Sequence, residues 1–230
     1  LPDGVVRLNA PARELLQSND KRWCVAIGGD ENIEADAIVV AAPAFCAGQL
    51  LESIEANVAA ELKDISYAST ATVSLAYRRE DFPRLPDSFG FVVPAIEKRK
   101  IMACTFSSLK YPGRAPEGRI LLRAFLGGSL QPELFNDDDR TMEHNVSAEL
   151  KDLLGVTVAP QICRIWRHPN SMPQYHVGHE ARVKRIETAL QSFPTLALVG
   201  SAYHGVGISD CVRTGEEAAD KLVGRLQNPT

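Results

Sequence analysis

The sequence predicts an α/β layer split by an inserted, mostly antiparallel β region, and three observations carry that reading. The run at 37–42, Ala-Ile-Val-Val-Ala-Ala, is apolar on both faces, as a strand covered on each side requires. Extended segments at 70–77, 89–93, 101–106 and 120–126 follow, separated by proline-rich and charged connections, which is the texture of an antiparallel sheet. The tail returns to helix, strand and helix at 177–191, 196–199 and 210–226. Residues 1–67 and 171–230 are therefore expected to share one domain and 68–170 to form another, an α/β plus α+β arrangement.

Taken in order, strands are expected at 5–8, 23–27 and 37–42. Asn19-Asp20 and Gly28-Gly29-Asp30 are turn signals between them, and Pro43 ends the third. Helices follow at 44–51 and 54–65, the second with Val58, Leu62 and Ile65 at helical spacing. After the extended region, 141–154 reads as a helix with Val146, Leu150 and Leu153 or Leu154 on one side. Asp137-Asp138-Asp139 forms a solvated turn suited to cap it. A strand at 161–166 precedes the helix at 177–191, whose inward residues are Val183, Ile186 and Leu190.

Composition narrows the function. With 230 residues, 45% hydrophobic and 23% charged, the chain can bury one substantial core or two modest ones. A net charge of -4 gives no long-range field for nucleic acid or an acidic membrane surface. Cys24, Cys46, Cys104, Cys163 and Cys211 are scattered, odd in number and without a CxxC pair. That pattern argues against a disulfide framework or a zinc site and for a reducing cytoplasm. No apolar run approaches the roughly 20 residues needed to span a bilayer. Leu1 at the start, feeding a turn, reads as the beginning of an excised segment.

The chemistry concentrates at Leu196-Ala-Leu-Val-Gly-Ser-Ala-Tyr-His-Gly-Val-Gly-Ile-Ser-Asp-Cys-Val-Arg-Thr-Gly215, a short strand, a glycine loop and the opening of a helix. Gly205 and Gly207 let backbone approach a flat ligand, and Ser209 or Asp210 can cap the helix. Free amides at such a helix start suit a group that gains negative charge. Spacing alone leaves a turn that binds nothing equally open.

The stretch from Gly200 to Ala219, with its Val-Gly-Ile-Ser-Asp-Cys run at 206–211, resembles the C-terminal flavin-binding motif of protoporphyrinogen oxidases. Met172-Pro-Gln-Tyr-His-Val-Gly-His179 is similar to that family's segment before its last helix. Pro86-Asp-Ser-Phe-Gly-Phe-Val-Val-Pro94 and Leu121-Leu-Arg-Ala-Phe-Leu-Gly-Gly128 resemble two of its middle strands. Val6-Arg-Leu-Asn-Ala-Pro-Ala12 and Glu34-Ala-Asp-Ala-Ile-Val-Val-Ala-Ala-Pro43 look like paired strands of its flavin domain. The resemblance implies the C-terminal part of a FAD-binding two-layer flavoprotein fold with an interleaved substrate-binding sheet. It implies FAD contacts at Ala12, Ser201, Val206, Gly207 and Ile208, and a substrate pocket at Phe89, Gly90, Phe91 and Val92, with Phe125 on a facing strand.

It further implies an oxidase that takes a hydride from protoporphyrinogen to FAD, with molecular oxygen as acceptor, and that assigns no side chain here as acid or base. Coproporphyrinogen is the alternative substrate. No GxGxxG turn follows a first strand, so the FAD pyrophosphate site and the basic group for a substrate propionate are expected upstream of Leu1. The segment alone is then expected to be flavin-poor and inactive. Homodimerisation and peripheral attachment to the inner face of a membrane are left open. His176 and His179 have His-x-x-His spacing without a third ligand, so no metal is expected, and His204 is a candidate for tuning the flavin. An amine oxidase or carotenoid desaturase, and a flavin-free binding module, are the competing readings.

Overall fold

The computed structural model describes residues 2–28, 31–83 and 85–227. The chain divides into two compact units, residues 1–66 with 173–230 (unit 1) and residues 67–172 (unit 2). The elements in chain order are β1 (Ala12–Gln17), β2 (Trp23–Ile27), β3 (Asn32–Ala35), β4 (Ile38–Val40), α1 (Ala44–Leu50), α2 (Ala56–Lys63), β5 (Tyr67–Arg78), β6 (Gly90–Val92), β7 (Ala103–Phe106), α3 (Ser107–Lys110), β8 (Arg119–Gly127), α4 (Asp139–Leu154), β9 (Ile162–Pro173), α5 (His179–Leu190), β10 (Leu196–Leu198) and α6 (Ile208–Gln227).

Unit 1 contains two small sheets. β1 and β3 flank β2 in an antiparallel three-stranded sheet, while β4 and β10 pair in parallel with Ile38 opposite Leu196 and Val40 opposite Leu198. The expected strand at 5–8 is absent. Val5, Val6 and Leu8 are exposed and Asn9 has a positive φ of 56°, so that stretch finds neither a partner nor an apolar cover. Pairing begins instead at Ala12, where Leu15 becomes buried. The segments resembling paired flavin-domain strands do not pair with each other, because β1 pairs with β2 and β4 with β10. Of the turn signal at 28–30, Gly29 and Asp30 lie outside the described residues.

Trp23 anchors the three-stranded sheet. Its ring is fully buried 6.3 Å from Phe193, and its indole N–H donates to Thr195 Oγ1 at 2.8 Å, so the polar edge of a large apolar group is satisfied. Helices α1 and α2 cross closely at Gly48, where a Cβ would lie 2.8 Å from the Ala59 carbonyl oxygen. α5 buries Val183, Ile186 and Leu190 at helical spacing. Arg185 on α5 donates twice to the Glu61 carboxylate of α2, at 2.6 and 3.0 Å.

Unit 2 is a five-stranded sheet in the order β6-β7-β8-β5-β9. β5 and β8 run antiparallel from Thr70 opposite Gly127 to Arg78 opposite Arg119. One face is covered by α4, which contributes Met142, Val146, Leu150 and Leu154 to a core with Ala71, Val73, Leu75, Tyr77, Phe106, Leu122 and Leu126. Asp138 caps α4 by accepting from the Thr141 amide at 2.8 Å, and that bond holds its carboxyl below the usual range. Strand β9 runs past the expected 161–166 as far as Pro173. The extension follows the partner strand, since the Asn170 amide donates to Ser69 Oγ at 2.9 Å.

Candidate functional site

The glycine loop of unit 1 leaves β10 after Leu198 and ends where α6 begins at Ile208. Gly200 and Gly205 have φ of 121° and 129°, a region open to glycine and strained for other residues. Tyr175 clamps the loop at two points: its hydroxyl donates to the Ser201 carbonyl at 2.7 Å and accepts from the Gly205 amide at 3.0 Å. The Tyr175 ring stacks on His179 with centroids 3.9 Å apart and planes 14° apart. Burial raises the pKa of the Tyr175 hydroxyl, and burial depresses that of the His179 imidazole. Both rings are therefore neutral supports beneath the loop near pH 7.

Gly205 serves the protein as well as any ligand. A Cβ there would lie 2.5 Å from Asp210 Oδ2, so the glycine makes room for the chain's own carboxylate. Asp210 also lies 3.6 Å from the Arg213 guanidinium, and the Cys211 amide closes onto the Gly207 carbonyl at 3.0 Å. Because α6 starts at Ile208, Ser209 and Asp210 stand inside its first turn rather than at the capping position expected of them. His204 is engaged with Glu187, its Nε2 2.7 Å from Oε1.

The residues expected to contact FAD are distributed as follows. Ser201, Val206, Gly207 and Ile208 share this loop, with Val206 and Ile208 64% and 85% exposed, which is unusual for branched aliphatic side chains. Ala12 lies apart from them in sequence, as the exposed first residue of β1 beside a register shift. Val206 and Ile208 thus leave an apolar surface beside the start of α6.

The residues assigned to substrate fall on the sheet of unit 2, but not on one side. Gly90, Val92 and Phe125 share the face away from α4, because Val92 is opposite Ala103 and Ala103 opposite Phe125. Phe91 points the other way and packs edge-on against Phe106, ring centroids 6.0 Å apart. Phe125 is not on a strand that faces β6; β7 lies between them. Gly90 is dictated by pairing, since it has φ of 141° and a Cβ would collide with the Cys104 carbonyl oxygen. Phe89 is exposed next to it.

His176 is exposed while His179 is buried on Tyr175, and among the described residues no three His, Cys, Asp or Glu side chains are placed to hold a metal. Tyr175 is the site residue that the reading of the loop omitted. It lies some 25 positions earlier in sequence, and only its place in the Met172–His179 motif pointed to it.

The sequence profile described as flavin containing amine oxidoreductase matches residues 1–223, and the chain belongs to that family. Within it, a coproporphyrinogen III oxidase of Bacillus subtilis (strain 168) is 33% identical over 212 residues, 92% of this chain and 45% of that protein. A protoporphyrinogen oxidase of Bos taurus is 32% identical over 228 residues, 95% of this chain and 46% of that protein. A crystal structure of a provisionally named protoporphyrinogen oxidase from Exiguobacterium sp. 255-15 matches with a TM-score of 0.78 at 28% identity, covering 95% of this chain and 47% of that one. The chain spans just under half the length of these relatives.

Proposed function

We propose that this chain forms part of a FAD-dependent porphyrinogen oxidase, supplying one wall of the flavin site and a substrate-binding sheet. The observation that carries this reading is the loop 200–208, with Val206 and Ile208 exposed at the head of α6, in a chain whose relatives are named porphyrinogen oxidases. When bound, FAD would supply the hydride acceptor for a methylene bridge of the porphyrinogen, with molecular oxygen as the final acceptor. The chain's own residues bind and orient. Val206, Gly207 and Ile208 would line the flat ring, and the positive end of α6 would favour the edge that gains negative charge. The Ser201 backbone is held by Tyr175, and Ala12 offers main-chain contact to the adenine.

Phe89, Val92 and Phe125 provide apolar contact for the macrocycle, while Phe91 acts through the core and Gly90 through strand pairing. No side chain of this segment serves as acid or base. Protoporphyrinogen and coproporphyrinogen share the reacting methylene and differ in the number of carboxylates. The test is to prepare the complete flavoprotein that carries this chain, record its flavin absorbance and mix it anaerobically with each porphyrinogen. Bleaching by at least one is expected; bleaching by neither overturns the reading.

A further inference from the structure

The open face of the unit 2 sheet carries a charge pattern that the loop chemistry leaves unused. On β8, Ile120, Leu122, Ala124 and Leu126 are buried, so Leu121, Arg123 and Phe125 stand on the opposite side. Arg123 sits between Thr105 of β7 and Ser74 of β5, and Phe125 between Ala103 and Thr72. On β9, Cys163 and Ile165 pack against the core, which turns Arg164, Trp166 and His168 to the open side. The 3.4 Å contact of His168 Nε2 with Thr72 Oγ1 confirms it.

Among the described residues, no strand residue on this side is acidic. Arg78 and Arg119, at the far end of the rows, are occupied by Glu80 and Gln161. The Arg123 guanidinium makes no hydrogen bond or ion pair among the described residues, and Arg164 bonds only to the neighbouring Cys163 carbonyl at 3.2 Å. A flat apolar ring with acidic arms complements such a surface. Phe125 and Trp166 offer ring-sized contact, and a free guanidinium takes a carboxylate through two parallel N–H bonds. Because β8 and β9 flank β5, the strand of Arg123 lies two strand spacings, about 9.6 Å, from the strand of Arg164 and His168. Two carboxylate points around an aromatic centre suit a macrocycle with acidic arms on all four pyrroles better than one with arms on two adjacent pyrroles.

Resting on the porphyrinogen oxidase reading above, we propose that Arg123, with Arg164 and His168, makes this face a specificity surface for a tetracarboxylate porphyrinogen of the coproporphyrinogen class. In the complete holoenzyme, Arg123→Gln is compared with wild type by kcat/KM on coproporphyrinogen III and protoporphyrinogen IX, with flavin absorbance and Tm as folding controls. The ratio of the first to the second falls about tenfold, through KM rather than kcat, as loss of a charge-assisted hydrogen bond predicts. Arg123→Lys restores part of it, and Arg164→Gln, an independent variant, moves the ratio in the same direction. A ratio within about twofold of wild type for both glutamine variants, or parallel losses on both substrates, overturns the proposal and leaves a solvated basic face. A wild-type holoenzyme reduced by neither substrate overturns the porphyrinogen reading itself.

Discussion

Unit 2 and unit 1 both mix strands with helices, yet they bury them to different degrees. In unit 2 the five strands lie in one sheet, and the 16-residue α4 sinks Met142, Val146, Leu150 and Leu154 into a single core against it. In unit 1 the strands are divided between a three-stranded sheet and a two-stranded parallel pair, and the 20-residue α6 buries Leu222 alone. Its remaining aliphatics, Ile208, Val212, Val223 and Leu226, are exposed. Parallel strands are normally covered on both faces, so the β4 and β10 pair with α6 leaves apolar surface where the unit 2 sheet with α4 closes a core. Apolar burial is what holds such units together, and the contrast therefore predicts unequal responses to mutation.

Cavity formation tests it most strongly. Leu122→Ala, in the centre of the unit 2 core, is expected to cost about 2–5 kcal/mol in denaturant unfolding. Leu222→Ala in α6 should cost roughly 2 kcal/mol or less, and equal losses would erase the distinction. Gly90→Ala comes next. The positive φ and the Cys104 carbonyl together impose strain of about 1–3 kcal/mol, visible as a lower Tm for the unit 2 transition.

Tyr175→Phe removes one hydroxyl that serves both Ser201 and Gly205. It should destabilise unit 1 by about 1 kcal/mol and raise amide exchange at Gly205, without touching unit 2. The His179 imidazole, depressed by burial below its ordinary 6.5, adds a pH dependence of the same sign everywhere it acts. Below 6.5 the unfolded chain takes up a proton that the folded one resists, so unit 1 loses stability as pH falls through and beneath that value. Arg182 and His204 reinforce the effect, and a His179→Phe variant flattens the slope. Smallest in energy is a chemical probe of unit 2. Burial pushes the Cys104 thiol up to about 12, so its alkylation at pH 8 should await opening of the core and trail that of exposed thiols in the unfolded protein.

Sequence periodicity served best where burial is local. The strand at 23–27 is as read, and the helix expected over 141–154 forms from Asp139, capped by Asp138 of the expected acidic turn, because alternating or helical apolar spacing reports directly on one buried face. It failed at 5–8, where the exposed apolar residues gain no strand partner, and at β3, whose Asn-Ile-Glu-Ala sequence is half exposed and held by backbone pairing with β2 and by the Arg22–Glu34 ion pair. The loop residues 201 and 206–208 could be placed together from sequence because they are contiguous. Phe91 and Phe125 could not be assigned to faces, since that depends on register across β7, and no single strand encodes it. Arg123 carries no signal in its own strand for the same reason: it becomes meaningful only beside residues from β5 and β9.

Gln174 donates its amide to the Ser66 carbonyl at 2.9 Å, and β5 neighbours β9, so the two ends of unit 2 meet. Meanwhile Trp23 is bonded to Thr195, a partner 172 positions away. Closing that distance through an unstructured chain costs entropy that grows by roughly 0.6 kcal/mol for each doubling of the loop. Once unit 2 is formed, its ends stand side by side and the span left for unit 1 to close is only its own two segments. The inserted unit thus acts as a splice that brings distant halves of a discontinuous unit into register, and damage to its core would slow the assembly of a region it does not belong to.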